Sequence, residues 1–554
     1  MTAVAAGFIV SYGPNLPRWD DFAMVDVLVG TQRVTVDWLW SLHNEHRLPL
    51  PKLILVLLSR ISGNDFRAGM FFNVAALATL AGASISIAAR RPGGCRTCDL
   101  LFPLVLLNLS HSTNLLWSWQ VQFVASTVIA GAVILLIVSR ADWPGAGTAV
   151  VVGLCLALLS LCGANGVALV PALDCWLLAA TIAHWRSGRV GGKRRAFIVL
   201  LAAVPGIVLT VLYFKGYHPT AQHPGAGELE AALRTSLQFI SLMFGTEAPH
   251  FWPASGMVAL TVIATSIAIL AFVAIRGRPN ERPRALGLLC TFGAMGCLAL
   301  GMGWGRAGSG EQSGFEARYV TLVAPLWLIV IFTWDIFTSE IIRRVALTTA
   351  FSAALILIWP FTSTAIEAAR NLDRQADQFL ADVKEGAPIH VLTRRYTPIL
   401  HSSQDVLAEK LAQLRTAHIG AFGKIRSDPP FREAQLPVTP ADVKMARWEN
   451  GTAYITKVDP SLHYILPSAQ RICGIRLKYS HTNKVGGPAH FRIMWTSVAG
   501  TEPGPAQVYS NWSLPSGQNK VTTLWVEDTV KEFWLQPDNQ ACEFSIGEIT
   551  LLSH

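Results

Sequence analysis

Apolar residues in this chain come in long blocks, not in the alternating or every-third-residue patterns of a soluble fold. Phe71–Ala89, Leu100–Trp117, Gln122–Ser139, Gly147–Cys162, Val167–His184, Ala196–Phe214, Met257–Ile275, Ala285–Trp304, Tyr319–Phe337 and Val345–Thr364 are such blocks. Each approaches the ~20 residues that cross bilayer hydrocarbon as a helix. Thr2–Val10 is apolar too, but short and without the basic flank of a signal peptide. It is expected to be the remaining half of a first helix. The pattern predicts a polytopic α-helical membrane protein of about 11 transmembrane helices.

After Thr364 the texture changes. Ile366–Lys384 is charged but helical in period and is expected to continue the last span; Ile389–Arg394 reads as a short strand and Asp405–Leu414 as an amphipathic helix. Ile472–Tyr479, His490–Trp495 and Thr523–Val526 alternate apolar and polar residues, separated by turn-rich stretches such as Pro515–Asn519. The predicted layout is therefore a transmembrane domain at residues 1–365, whose first external loop (12–70) is long enough to be structured. An α/β connecting segment follows at 366–435 and a β-sandwich at 436–554.

Composition agrees: 51% of residues are hydrophobic and 15% charged, against about 25% charged in soluble domains. Disordered, collagenous and small disulfide-rich chains are excluded. A net charge of +9 would suit a nucleic-acid partner, but the basic residues sit in short loops between apolar blocks. Arg90, Arg91 and Arg96, then Arg140, then Arg186, Arg189, Lys193, Arg194 and Arg195, then Arg276, Arg278, Arg282 and Arg284, then Arg343 and Arg344 fall on one side. The opposite short loops carry Lys215, Arg234 and Arg306. By the positive-inside rule the first group is cytoplasmic. The long first loop and everything after Thr364 are then extracytoplasmic, in a bacterial inner membrane, and no nucleic-acid partner is expected. Cys473 and Cys542, the cysteines of this tail, lie in strand-like runs, so an oxidising compartment favours a disulfide between them.

The first external loop holds the densest chemistry. Asp20 and Asp21 are adjacent, and two roles fit them: a general base that takes a proton from an attacking hydroxyl, or a helix cap paired with Arg18. His43, Glu45, His46 and Arg47 follow among tryptophans, with Lys52 beyond. They read either as interfacial anchors or as a substrate-binding cluster; a divalent metal stays open, without an established ligand spacing. Leu48–Ile61 has the pattern of an interfacial helix. In the Trp117–Gln122 turn, Trp119 would stack on a sugar while Gln120 and Gln122 bond its hydroxyls; the alternative is an aromatic belt. Arg306, in a glycine-rich loop, and Arg318 suit a lipid phosphate at the outer interface or act as anchors. Asp174 lies inside a span, a costly place for a carboxylate.

About eleven spans, the Trp19-Asp20-Asp21 motif after the first helix, a large first loop and an extracytoplasmic tail resemble the glycosyltransferase C superfamily. The resemblance covers residues 1 to about 365. It implies a membrane glycosyltransferase that moves a sugar from a polyprenyl-phosphate donor to a glycan or lipid acceptor, among membrane lipids. Asp21 or Asp20 would be the base of an inverting displacement. Arg306 and Arg318-Tyr319 would hold the donor phosphate, with Arg47 or Lys52 in reserve. No cofactor is required by this scheme. A short second external loop departs from the family pattern and removes a second acidic residue. The β-rich tail is similar to the carbohydrate-binding domains some members carry, and from that resemblance comes the expectation of a carbohydrate-binding role for the sandwich. A polysaccharide polymerase or ligase, and a flippase of lipid-linked glycans, are the competing readings.

Overall fold

The computed structural model describes the chain apart from residues 92–95, 189, 218–224, 398, 457–458 and 484–488, and apart from the side chains of 512 and 513. The chain divides into two compact units. The first takes Met1–Asn15 and the described residues from Arg33 to Asp373; the second takes Leu16–Gln32 and Arg374–His554. The long first loop is thus split: Asp20 and Asp21 go with the second unit, and the His43–Lys52 stretch with the first.

Eight helices among the described residues are long and apolar enough to cross a membrane: Ala68–Ala89, Ser118–Val138, Ala164–Arg186, Gly192–Phe214, Ala254–Arg276, Arg282–Ser309, Ala317–Phe337 and Glu340–Lys384. Thr2–Tyr12 and Ala146–Ser160 are shorter apolar helices. These helices do not by themselves confirm the expected number of about 11, and Leu100–Trp117 is no continuous helix. Leu101–Leu106 ends where Asn108 turns its side chain on the backbone, donating to the Leu104 carbonyl at 2.6 Å and accepting from the Ser110 amide at 2.8 Å. Short polar side chains compete with the helix ladder in this way. The broken stretch is buried in protein, as irregular backbone at membrane depth must be. By contrast, Val345–Thr364 and the charged run after it are one 45-residue helix.

Polar contacts between helices are specific. Thr127 donates to the Thr321 carbonyl at 2.8 Å, and His111 contacts the Thr321 hydroxyl at 2.8 Å. At one end of the first unit the buried carboxylate of Asp335 receives Arg96 at 2.8 Å, together with Arg91 and the more distant Arg343. Basic residues from two of the loops assigned to the cytoplasm thus share one carboxylate.

In the second unit, Trp19–Met24 forms a 3-10 turn whose first amide donates to the Leu400 carbonyl at 2.5 Å. Asp26 meets Lys410 at 2.7 Å. Ile389–Tyr396 is a helix, not the expected strand. Its buried positions, Ile389, Leu392, Thr393 and Tyr396, follow the helical spacing, and burial of that face outweighs the β-propensity of Ile and Val. Gln404–Thr416 is a helix as expected, capped by Ser403.

The first unit contributes a hairpin of β1 (Leu42–His43) and β2 (His46–Arg47). The second holds a nine-stranded antiparallel sheet: β3 (Arg432–Leu436), β4 (Asp442–Lys444), β5 (Ala446–Glu449), β6 (Thr452–Ile455), β7 (Ser461–Asn483), β8 (Ala489–Thr496), β9 (Val508–Leu514), β10 (Gly517–Gln536) and β11 (Cys542–Ser553). β7 and β10 pair along nearly their whole length, with bulges between Trp525 and Asp528 and between Val530 and Glu532. Bulges bend strands. β11 takes one half of β7 and β8 the other half of β10, and the halves meet over one core, with Phe491 of β8 6.2 Å from Phe544 of β11.

The register rules out the expected disulfide. Cys542 pairs with Asn483, whereas Gly474, next to Cys473, pairs with Leu552 at the other end of β11. About ten residues of strand, roughly 33 Å, separate the two thiols, and a bridge needs Cα atoms within ~7 Å. Both cysteines are buried and free.

Candidate functional site

The site in the first unit begins with the β1–β2 hairpin. Asn44 takes a left-handed conformation (φ +51°) and lets His43 pair with His46 across a two-residue turn. That turn drives Glu45 inward, to 5% exposure. Its Oε1 accepts from Arg306 Nη2 at 3.1 Å and lies 3.3 Å from His46 Nε2. The other nitrogen of His46 reaches the Tyr213 hydroxyl at 3.2 Å.

Arg306 is delivered by the last turn of the Arg282–Arg306 helix. Gly303, one turn earlier, allows this: a Cβ there would stand 2.2 Å from the Ala232 carbonyl and 2.1 Å from Ser236 Oγ, so only glycine lets the two helices approach so closely. Arg306 spends Nη2 on Glu45 and His46, while its buried Nη1 has no partner among the described residues. An arginine held on one side and unpaired on the other can bind a phosphate oxygen.

Arg47 and Lys52 are placed differently from expectation. Arg47 donates to the carbonyls of Tyr213 at 3.3 Å, Trp40 at 2.6 Å and Lys215 at 2.7 Å. Lys52 Nζ donates at 3.0 Å to the Trp38 and Ser41 carbonyls and to the Ser41 hydroxyl. Arg47 thus ties the loop to the end of the Gly192–Phe214 helix, and Lys52 ties the loop to its own backbone, so both side chains are engaged with backbone carbonyls. Burial, with Arg47 adding to it, pushes the Lys52 ammonium down to about 8.

The Trp117–Gln122 turn is neither a belt nor an open sugar platform. Ser118–Gln120 is a buried 3-10 turn opening the next helix. Trp119 is 2% exposed, and the tilted His43 ring lies 4.6 Å from it. Gln120 is fully buried with neither amide atom hydrogen-bonded, and Gln122 is also buried, its carbonyl accepting from Asn165 at 3.2 Å. Tyr319 belongs to the core, its ring 6.0 Å from Phe123 and 6.1 Å from Phe239, and is no phosphate ligand. Arg318 lies over that ring, 3.7 Å from Glu316, with its carbonyl accepting from Asn114 at 2.9 Å.

Asp20 and Asp21 lie in the second unit. Asp21 is buried, and its Oδ2 accepts from the Arg18 amide at 3.2 Å, closing the turn as a cap; Asp20 is half-buried. Tyr213 was not legible from sequence, being one more aromatic in an apolar run. Asp335 gave as little signal, an acidic residue near a span end.

No protein-family model matches the chain, and no curated protein matches it. Solved structures do. The low-affinity xylan-binding module CBM86 from Roseburia intestinalis aligns with 23% of this chain and 97% of its own, at 12% identity and a TM-score of 0.17. The arabinosyltransferase EmbB from Mycobacterium smegmatis aligns with 100% of this chain and 64% of its own, at 12% identity and a TM-score of 0.30. The chain therefore spans 64% of the length of that arabinosyltransferase. What the site does has to be read from its own residues.

Proposed function

We propose that this chain is a multi-pass membrane glycosyltransferase that takes a sugar from a polyprenyl-phosphate donor and passes it to a hydroxyl of an envelope glycan or lipid on the extracytoplasmic face. The observation that carries the reading is Arg306, anchored by Glu45 and His46 and left with a buried, unpartnered Nη1. A glycosyl phosphate has a leaving group of low pKa, which needs cations and no general acid. Arg306 would meet that need, with Arg318 as a second cation. A carboxylate base would take the proton of the acceptor hydroxyl as its oxygen bonds to the anomeric carbon; Asp20 or Asp21 is proposed for that role on the sequence motif alone. The bond from that carbon to the phosphate oxygen breaks at the same time, with inversion. Asp335, shared by Arg91, Arg96 and Arg343, supports placing that end of the unit in the cytoplasm.

The test is a mass profile of envelope glycans from a bacterial strain lacking this gene, beside strains carrying the wild type, Asp21→Asn, or Asp20→Asn with Asp21→Asn. Loss of one sugar residue in the deletion and the double mutant is expected. Loss of whole chains would point to a polymerase or ligase. A normal profile in every strain would sink the transferase. A flippase would then gain, since Asp174, buried with neither oxygen hydrogen-bonded, and the helix break at Gly163 (φ +98°) are features it would use.

A further inference from the structure

We propose that the C-terminal unit binds one zinc-like transition-metal ion between His390, Cys473, Glu527 and His554, independently of whether the chain transfers sugars. One ligand atom from each lies within 4.8 Å of all the others. A tetrahedral zinc with ligand bonds of ~2.0–2.3 Å separates its ligand atoms by roughly 3.3–3.8 Å, so the group needs only a small contraction to close on an ion.

The tertiary structure builds this cluster from four remote places. His390 comes from the Ile389–Tyr396 helix. Cys473 lies on β7 where β10 is bulged: Trp525 pairs with Gly474 and Asp528 with Ile472, so two residues of β10, Val526 and Glu527, face Cys473 alone. The bulge puts Glu527 in the left-handed region (φ +51°) and re-aims its side chain. His554 follows β11, whose pairing of Leu552 with Gly474 brings the end of that strand beside Cys473.

His390 is the observation that asks for a ligand. It is fully buried. Asp428 Oδ1 lies 2.7 Å from its Nδ1 and 2.8 Å from its backbone amide, which assigns the ring proton to Nδ1. Nε2 then faces Glu527 Oε1 at 3.0 Å, yet neither atom makes a hydrogen bond of usable geometry among the described residues. Two lone pairs pointing at each other need either a proton or a metal ion between them. A carboxylate–histidine pair of this kind is the usual support behind a metal ligand. One thiolate, two imidazoles and a carboxylate suit zinc; calcium and magnesium take oxygen ligands. The Phe431 ring, 5.2 Å from His390, and the Trp525 ring, 5.4 Å away, shield the site. The ion would cross-link one helix to the middle of β7 and β10 and to the end of β11, a structural role.

The competing arrangement is a protonated His390 bridging Asp428 and Glu527 with no metal. Full-length chain without a polyhistidine tag, purified in detergent, stripped with chelator, reloaded with Zn²⁺ and desalted, decides between them by metal content. Wild type and Cys542→Ser are expected to hold about one zinc per chain, and His390→Gln and Cys473→Ser none. Asp428→Asn should bind ~10–100-fold more weakly. Loading with Co²⁺ gives a readout that needs no variant: a thiolate-to-cobalt charge-transfer band in wild type. Absence of that band and of bound zinc in the wild type overturns the proposal. So does retention of zinc by Cys473→Ser, or its loss in Cys542→Ser alone.

Discussion

Arg306 and Glu45, 261 positions apart in sequence, meet at 3.1 Å, and the contact fixes one nitrogen of a guanidinium whose Nη1 has no partner among the described residues. Glu45 sits on the hairpin turn and Arg306 on the end of a long helix, so the pair also joins the first loop to the helix bundle of its own unit.

Replacing Arg306 by Ala should lower the rate of sugar transfer by ~10²–10³, the usual effect of losing one preorganised contact to a developing anion. Arg306→Lys should recover little, because an ammonium cannot bond Glu45 and a phosphate in the same fixed plane. Glu45→Gln should fall between the two. Initial rates with a polyprenyl-phosphate sugar in detergent check the series. Wild-type rates for Arg306→Ala would remove the basis of the functional reading.

Lys52 should matter for stability and not for donor affinity, since its three bonds all go to Trp38 and Ser41. Lys52→Met removes three hydrogen bonds from a buried ammonium and should cost about 1–3 kcal/mol, seen as a lower Tm with an unchanged KM for the donor. The pH dependence follows from burial. The folded-state pKa is depressed to about 8 from 10.5, so above pH 8 the unfolded chain holds the proton that the folded chain has released. Stability should therefore rise between about pH 8 and 10.5 and be flat on this account outside that window. Thermal unfolding of wild type and Lys52→Met across pH 7–10.5 measures it, and the rise should be missing in the variant.

Cys473 and Cys542 should both be alkylated in denaturant without prior reduction, as free thiols at opposite ends of the sheet require. Intact mass before and after reduction reads this directly. A mass change on reduction that maps to a Cys473–Cys542 peptide would mean that the β7–β11 register is wrong.

Hydropathy is a local property, and what it controls was legible without coordinates. The apolar blocks became helices because a stretch with no polar side chains must satisfy its backbone internally wherever water is absent. The helix at Gln404–Thr416 and the alternating strands β7, β8 and β10 were legible for the same reason, each being written in consecutive residues. Local pattern failed where two propensities competed. Ile389–Arg394 favours a strand by composition, but its buried face made it helical; Leu100–Trp117 is apolar enough to span, but Asn108 broke it.

The candidate site was half legible. The types and clustering of His43, Glu45, His46 and Arg306 drew attention, yet sequence also offered Tyr319 and Gln120, with Arg47 and Lys52 in reserve. Only packing showed that Arg47 and Lys52 are spent on carbonyls and that Tyr319 and Gln120 are enclosed. Cys473 is the sharpest case. Sequence offered it one partner of its own kind, whereas strand register carried Cys542 roughly 33 Å away and gathered His390, Glu527 and His554 instead. Residue type is fixed by the sequence, but which side chains share a few ångströms depends on register, bulges and helix approach. Those are settled by the packing of segments far apart in the chain.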